Sequence, residues 1–186
     1  MKRSSIQLVP RAPVELDSEV LARVARGDMA ALGCLYDRYA VEILRFVRRA
    51  SFADDAEDIV QNTFLRAARI AGTFDPAAVS ARPWLFAIAA RLLQERKRSV
   101  RRFAAAMFGL ANQRRTASSA SGESSTDFER ALATLSEPKR IVMVLAEVEG
   151  FTCEEIGLML EVPVGTVWTR LHHARRELRS FFAEDI

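Results

Sequence analysis

Apolar positions recur at three- and four-residue spacing along most of the chain, the pattern of amphipathic helices rather than strands. Between Met29 and Ala50 they are Leu32, Leu35, Tyr36, Tyr39, Ile43, Phe46 and Val47. A shorter helix is predicted from Asp17 to Arg26, with Gly27-Asp28 ending it and capping its successor. A third, capped by Asp54 or Asp55, is expected to reach about Ala71 on a stripe of Ile59, Val60, Thr63, Phe64 and Ala67, and Gly72 closes it. The segment GTFDPAAVSARP then reads as a loop. Pro83 suits the first turn of a fourth helix that carries Trp84, Leu85, Ile88 and Leu92. Nothing reads as β-branched alternation between hairpin turns, so the fold class is all-α.

The periodicity breaks at Thr116 to Thr126, TASSASGESST, which has five serines and no large apolar residue. Such a stretch buries too little surface to offset its ordering entropy and is expected to be a flexible linker. The expected organisation is a mobile N-terminal tail (1–16), a helical body (17–106), a linker (107–126) and a second helical body (127–186). The second body starts with a short helix, Phe128 to Leu135, and another from Ser136 that Gly150 stops. Thr152 and Glu155 make a capping box for a helix with Ile156, Met159 and Leu160 inside. The turn Glu161-Val162-Pro163 leads to a last helix from Val164 to about Phe182.

Two short helices joined by a tight turn, the second one basic, describe a helix-turn-helix. Val164, Val167, Leu171, Ala174 and Leu178 must face its core. The opposite face then carries Thr169, His172, His173 and Arg176, with Trp168 and Arg170 on the flanks. Arg170, Arg175, Arg176 and Arg179 supply charge for phosphates. The plain alternative is a solvated amphipathic helix. Turn length, capping box and basic charge together favour the DNA-binding motif.

Composition adds bounds. The chain has 186 residues, is 49% apolar, and sets 27 Lys+Arg against 24 Asp+Glu, a formal net charge of +3. No apolar run approaches the ~18–20 residues of a membrane span, and no apolar stretch follows Lys2 and Arg3, so a cytoplasmic protein without membrane insertion is expected. The small total hides segregation. Arg91 to Arg115 holds eight basic residues against Glu95 alone, whereas Asp54, Asp55, Glu57 and Asp58 are acidic. Cys34 and Cys153 lie far apart in helical patterns and are expected to be core thiols. His172 and His173 are adjacent with no further ligand at metal spacing, and no Gly-rich phosphate loop or nucleophile-base pair is present. No enzyme activity, metal or cofactor is expected.

The stretch LSEPKRIVMVLAEVEGFTCEEIGLMLEVPVGTVWTRLHHARREL (Leu135 to Leu178) closely resembles region 4 of the extracytoplasmic-function sigma factors of bacterial RNA polymerase. Upstream, DAEDIVQNTFLRAAR (Asp55 to Arg69) and RPWLFAIAARLLQERKR (Arg82 to Arg98) resemble that family's region 2. The resemblance implies a protein that binds core polymerase and directs it to specific promoters. Region 4 would read the duplex minus-thirty-five element through Thr166, Trp168, Thr169, Arg170, His172, His173, Arg175 and Arg176. Trp168 stands where the family commonly has Lys or Arg, and its indole can meet sugar or a thymine methyl, or fold back on the helix flank. Region 2 would capture the melted minus-ten element through Phe74 as a base platform and Arg82, Arg91, Arg96, Lys97 and Arg98 as charge. Arg91 replaces a frequent Asn and Glu95 a frequent Asp. Trp84 and Phe86 read as core at helical spacing.

The same resemblance makes Asp55, Asp58, Gln61 and Asn62 the face that grips the β′ coiled-coil of polymerase. Asp54 and Asp55 can equally serve only the helix dipole. Further implied partners are the polymerase β flap, promoter DNA and an anti-sigma factor. Two rivals stand beside this reading. A plain helix-turn-helix regulator leaves the acidic helix without a purpose, and a protein-interaction adaptor predicts polymerase binding without a specific transcript.

Overall fold

A computed structural model of the chain describes residues 15–52, 55–107 and 126–184, all helices and connecting turns without a strand among them. The N-terminal half has α1 (Asp17–Ala25), α2 (Met29–Ser51), α3 (Ala56–Arg69) and α4 (Arg82–Met107), with one 3-10 turn at Ala71–Thr73. The C-terminal half has α5 (Asp127–Thr134), α6 (Glu137–Met143), α7 (Cys153–Leu160) and α8 (Val164–Glu184). A five-residue π-helical segment, Val144–Val148, continues α6. The expected tail, save Glu15 and Leu16, and nearly all of the expected linker lie outside the described residues, as does Asp54.

Helix α2 shows why the elements form where they do. The Asp28 side chain accepts from the amides of Ala30 and Ala31 at 3.0 and 3.2 Å, which satisfies two orphan donors of the first turn. Leu35, Tyr39, Ile43, Phe46, Val47 and Ala50 then line one buried face. Tyr36 was expected on that stripe; it is 42% exposed and rests its ring on Phe64 at the edge. Its position is one residue past Leu35, so 100° of rotation carries it to the rim. Cys34 is likewise exposed, contrary to expectation, while Cys153 is buried with its thiol pKa pushed up by burial.

Helices α1, α3 and α4 pack on α2. One buried carboxylate ties them. Asp17 accepts from the Tyr39 hydroxyl at 2.5 Å and from the Ala81 amide at 2.7 Å, and it pairs with Arg38. It thereby joins α1 to α2 and to the residue that precedes α4. Burial, with the carboxylate beside it, pushes the Tyr39 hydroxyl pKa up, so the phenol keeps its proton for this bond.

In the C-terminal half α7 and α8 pack together and α8 lies on α6. Thr152 caps α7: its hydroxyl accepts from the Glu155 amide at 3.2 Å, and Glu155 returns to the Thr152 amide at 2.7 Å. The turn after α7 needs close backbone approach at Gly157, where a Cβ would stand 3.2 Å from the Val162 carbonyl oxygen. Glu161 makes this turn in the left-handed region, at φ 54°.

The halves are docked. Helix α4 packs on α7 and α2 on α6, and buried side chains form one continuous hydrophobic cluster across the seam. Asp17→Ala is expected to cost roughly 2–3 kcal/mol, because it strands the buried Ala81 amide and takes from Tyr39 and Arg38 one of their two partners each. Denaturant unfolding measures it, and Tyr39→Phe, which removes a single donor, costs less.

Candidate nucleic-acid and polymerase interfaces

Helix α8 buries Val167, Leu171, Ala174 and Leu178 and turns its other side outward, whereas Val164, expected in the core with them, stands exposed at the first position of the helix. Trp168, Thr169, His172, Arg175 and Arg176 are exposed there, and Thr166, Arg170 and His173 are half-buried. The indole of Trp168, 55% exposed, is not folded into the core. The Thr169 hydroxyl donates to the Gly165 carbonyl at 2.9 Å, and the two histidine rings meet edge to face at 5.6 Å. Two expected phosphate contacts are placed otherwise. Arg175 turns back to Glu147 on the π-helical segment, its Nε 2.9 Å from Oε1. Arg170 lines a cleft of about 390 Å³ between the halves, with Arg91, Lys97, Arg98 and Glu161.

Helix α3 presents Asp58, Gln61 and Asn62 to solvent along one side. Asp55 occupies the N-cap position, yet its side chain makes no capping bond, contrary to the expected cap; it pairs instead with Arg96 on α4. That pair joins an expected polymerase contact to an expected DNA contact. Phe74, expected as an exposed base platform, is placed otherwise: it is 9% exposed, with its ring edge against Trp84 at 5.5 Å, and packs in the core. The short turn at Ala71–Thr73 brings it inward between α3 and α4. Phe86 is wholly buried, as its helical spacing implied, and Trp84 is half-buried.

The expected strand-binding cations divide sharply. Arg98 is exposed and makes no ion pair among the described residues. Arg82, Arg91 and Lys97 are all engaged by carboxylates of the C-terminal half. The Arg82 guanidinium lies 4.7 Å from the ring centres of both Phe86 and Phe151, one ring from each half. Its Nε contacts Glu42 and its Nη2 contacts Glu149, both at 2.8 Å, and its Nη1 donates to the Glu149 carbonyl at 3.2 Å. Arg91 pairs with Glu161 at 2.9 Å and donates to the Met159 carbonyl at 3.2 Å. Lys97 pairs with Glu137 at 2.9 Å. From the other side, buried Arg140 reaches across to the Ala50 carbonyl at 2.7 Å and stacks on Phe52 at 4.8 Å.

Burial pushes the Glu149 carboxyl above the usual carboxylate range, against the pull of Arg82, and draws the Arg140 guanidinium down. The seam thus holds charges at a desolvation cost that their partners offset only in part. None of Glu42, Glu137, Glu149, Glu161 or Arg140 carries a sequence signal of this role. Phe151 alone, a large aromatic between Gly150 and the Thr152 cap, marks a loop residue that needs cover.

These surfaces belong to an all-helical protein with a helix-turn-helix whose last helix is basic outward and with a second helix that is acidic and polar outward. Residues 35–103 match the family described as Sigma-70 region 2, and residues 125–178 match Sigma-70, region 4. The chain is 34% identical over 169 residues to the ECF RNA polymerase sigma factor SigL of Mycobacterium tuberculosis, covering 86% of this chain and 94% of that one. It is 30% identical to the RNA polymerase sigma factor CarQ of Myxococcus xanthus, covering 88% and 96%. The fold matches that of CnrH in complex with the cytosolic domain of CnrY, with TM-score 0.66, 26% identity, and 92% and 100% of the two chains covered. The chain belongs to the ECF (extracytoplasmic-function) RNA polymerase sigma factors.

Arg82→Ala removes both bridges and the stacking and leaves Glu149 buried without its counter-charge. It is expected to shift the chain toward an extended arrangement, seen as an increased radius of gyration in small-angle scattering, with helix content unchanged by circular dichroism.

Proposed function

We propose that this sigma factor supplies promoter recognition to core RNA polymerase through two domains, α1–α4 and α5–α8, on a linker at 107–126. It acts in the cytoplasm with the polymerase and does no chemistry of its own. Asp58, Gln61 and Asn62, with Asp55 when Arg96 releases it, bind the coiled-coil of the β′ subunit. Their polar, acidic face suits arginines on a partner helix pair. The C-terminal domain also meets the β flap. Thr166, Trp168, Thr169, His172, His173 and Arg176 face the duplex minus-thirty-five element, while Arg82, Arg91, Arg96, Lys97 and Arg98 track the single strand of the melted minus-ten element. Holding the strand apart offsets the cost of opening the duplex, so function is differential binding between two DNA states.

The observation that carries this reading is the pairing of Arg82, Arg91 and Lys97 with carboxylates of the other half. Carboxylates stand where phosphates would bind, so this docked arrangement is a resting state. Polymerase, by seating the domains apart, frees the strand-binding cations only when the enzyme that uses them is present. An anti-sigma factor acts on the same equilibrium by favouring the closed side. CnrH, the relative of matching fold, is itself held by a protein partner, the cytosolic domain of CnrY.

Purified chain with core polymerase is expected to yield transcripts from defined start sites, and core enzyme alone to yield none. Replacing Asp58, Gln61 and Asn62 together by Ala is expected to weaken core binding on the order of tenfold or more, as loss of a hot-spot cluster does. Binding titrations with labelled chain check this. Unchanged affinity would move the polymerase contact elsewhere.

A further inference from the structure

A helix seated in the major groove meets base edges with the side chains of its first turns. On α8 those turns run from Val164 to Thr169, and they contain no Arg, Lys, Asn or Gln. Those four types are the ones that make the usual donor pairs to a purine edge. The largest side chains those turns expose are apolar. Val164 is 41% exposed and Trp168 55% exposed, and the two lie four residues apart, one above the other on the same side of the helix. Thr169 beside them donates its hydroxyl proton to the Gly165 carbonyl at 2.9 Å, which leaves the oxygen only as an acceptor and adds a methyl to the exposed apolar surface. No aromatic or cationic side chain among the described residues covers the indole.

An apolar edge this exposed calls for a partner, and the surrounding charge limits which. Arg176 and Arg179, two to three turns on, are exposed and unpaired among the described residues, so the helix offers cations along the same element for phosphates. The edge of a base pair in the major groove carries one kind of apolar group, the C5-methyl of thymine. We propose that Val164 and Trp168 form a specificity edge for thymine methyl groups in the duplex promoter element, with polar reading by this helix left to the threonine hydroxyls beside them and to His172 beyond. This rests on the reading of α8 as the duplex-binding helix.

The test uses the full chain bound to core polymerase. A duplex selected from a randomised upstream element is rebuilt with each thymine in turn replaced by deoxyuridine, which deletes the methyl and leaves the pairing intact. At one or two positions affinity is expected to fall about fourfold, the equivalent of one buried methyl-sized group. With Trp168→Ala that penalty is expected to vanish, while core binding is kept. Specific binding that ignores every methyl overturns the proposal and leaves the parent reading standing. A Trp168→Ala chain that keeps the full deoxyuridine penalty overturns it too, as does one that loses core binding, since the edge then serves a protein. Failure to select any duplex at all refutes the parent reading itself.

Discussion

The arrangement of the whole molecule depends on where one guanidinium sits. Arg82 opens α4, and its charge lies between the rings of Phe86 and Phe151 with carboxylates of Glu42 and Glu149 on its nitrogens. Two of those four partners belong to each half of the chain. Separation of the halves therefore uncovers two aromatic faces and leaves Glu149 and Arg82 to be rehydrated in one step. Cation–π contact contributes about 0.5–2 kcal/mol, more as cation and ring are desolvated, in addition to what the ion pairs supply. The seam is closed by a single well-packed residue more than by the number of bridges around it.

The backbone reflects that constraint. Among the described residues only Phe52 and Glu161 hold positive φ without being glycine, at 51° and 54°. Both lie on the seam, Phe52 under Arg140 and Glu161 against Arg91. A left-handed conformation costs an ordinary residue roughly 1–3 kcal/mol and persists where surroundings fix it. The π-helical segment after α6 belongs to the same pattern. Its extra residue per turn aims Glu147 at Arg175, and the turn that follows delivers Glu149 to Arg82. Irregular backbone is concentrated where the two halves meet and where α8 is steadied.

Much of this is legible in the amino-acid sequence alone. Helix existence followed from period and caps, since Asp28, Thr152 and Glu155 act locally and need no tertiary context. The exposed side of α8 and the polar side of α3 followed from the same 100° rotation. What escaped was whatever depends on contact across long separations. Phe74 looked free because it sits in a Gly- and Pro-bounded loop, yet a three-residue 3-10 turn folds it against Trp84. Asp55 looked like a cap because it precedes a helix, yet Arg96, forty-one positions on, takes its carboxylate. Arg82, Arg91 and Lys97 were legible as cations, but a charge does not announce its partner. Glu149 and Glu161 sit some seventy residues away and resemble any surface acid.

The small net charge of +3 acquires a physical meaning from this pairing. A chain with separated basic and acidic stretches can satisfy them on itself when its partners are absent, and the quality of each internal pair sets how readily a partner replaces it. Arg91 and Glu161 are 41% and 72% exposed, so that pair is screened by water and salt and exchanges readily for a phosphate. Lys97 with Glu137 is more sheltered. Arg82 with Glu149, whose side chain is 9% exposed, is held by aromatic packing as well as by charge. Single-stranded DNA alone can therefore compete for the rim of the seam, but its centre yields only to something that also covers or separates the two phenylalanine faces. A polyanion offers no such cover, and a large protein that seats each half on its own surface does. If these cations are the ones that hold the melted strand, as proposed above, strand capture is conditional on whatever separates the two halves.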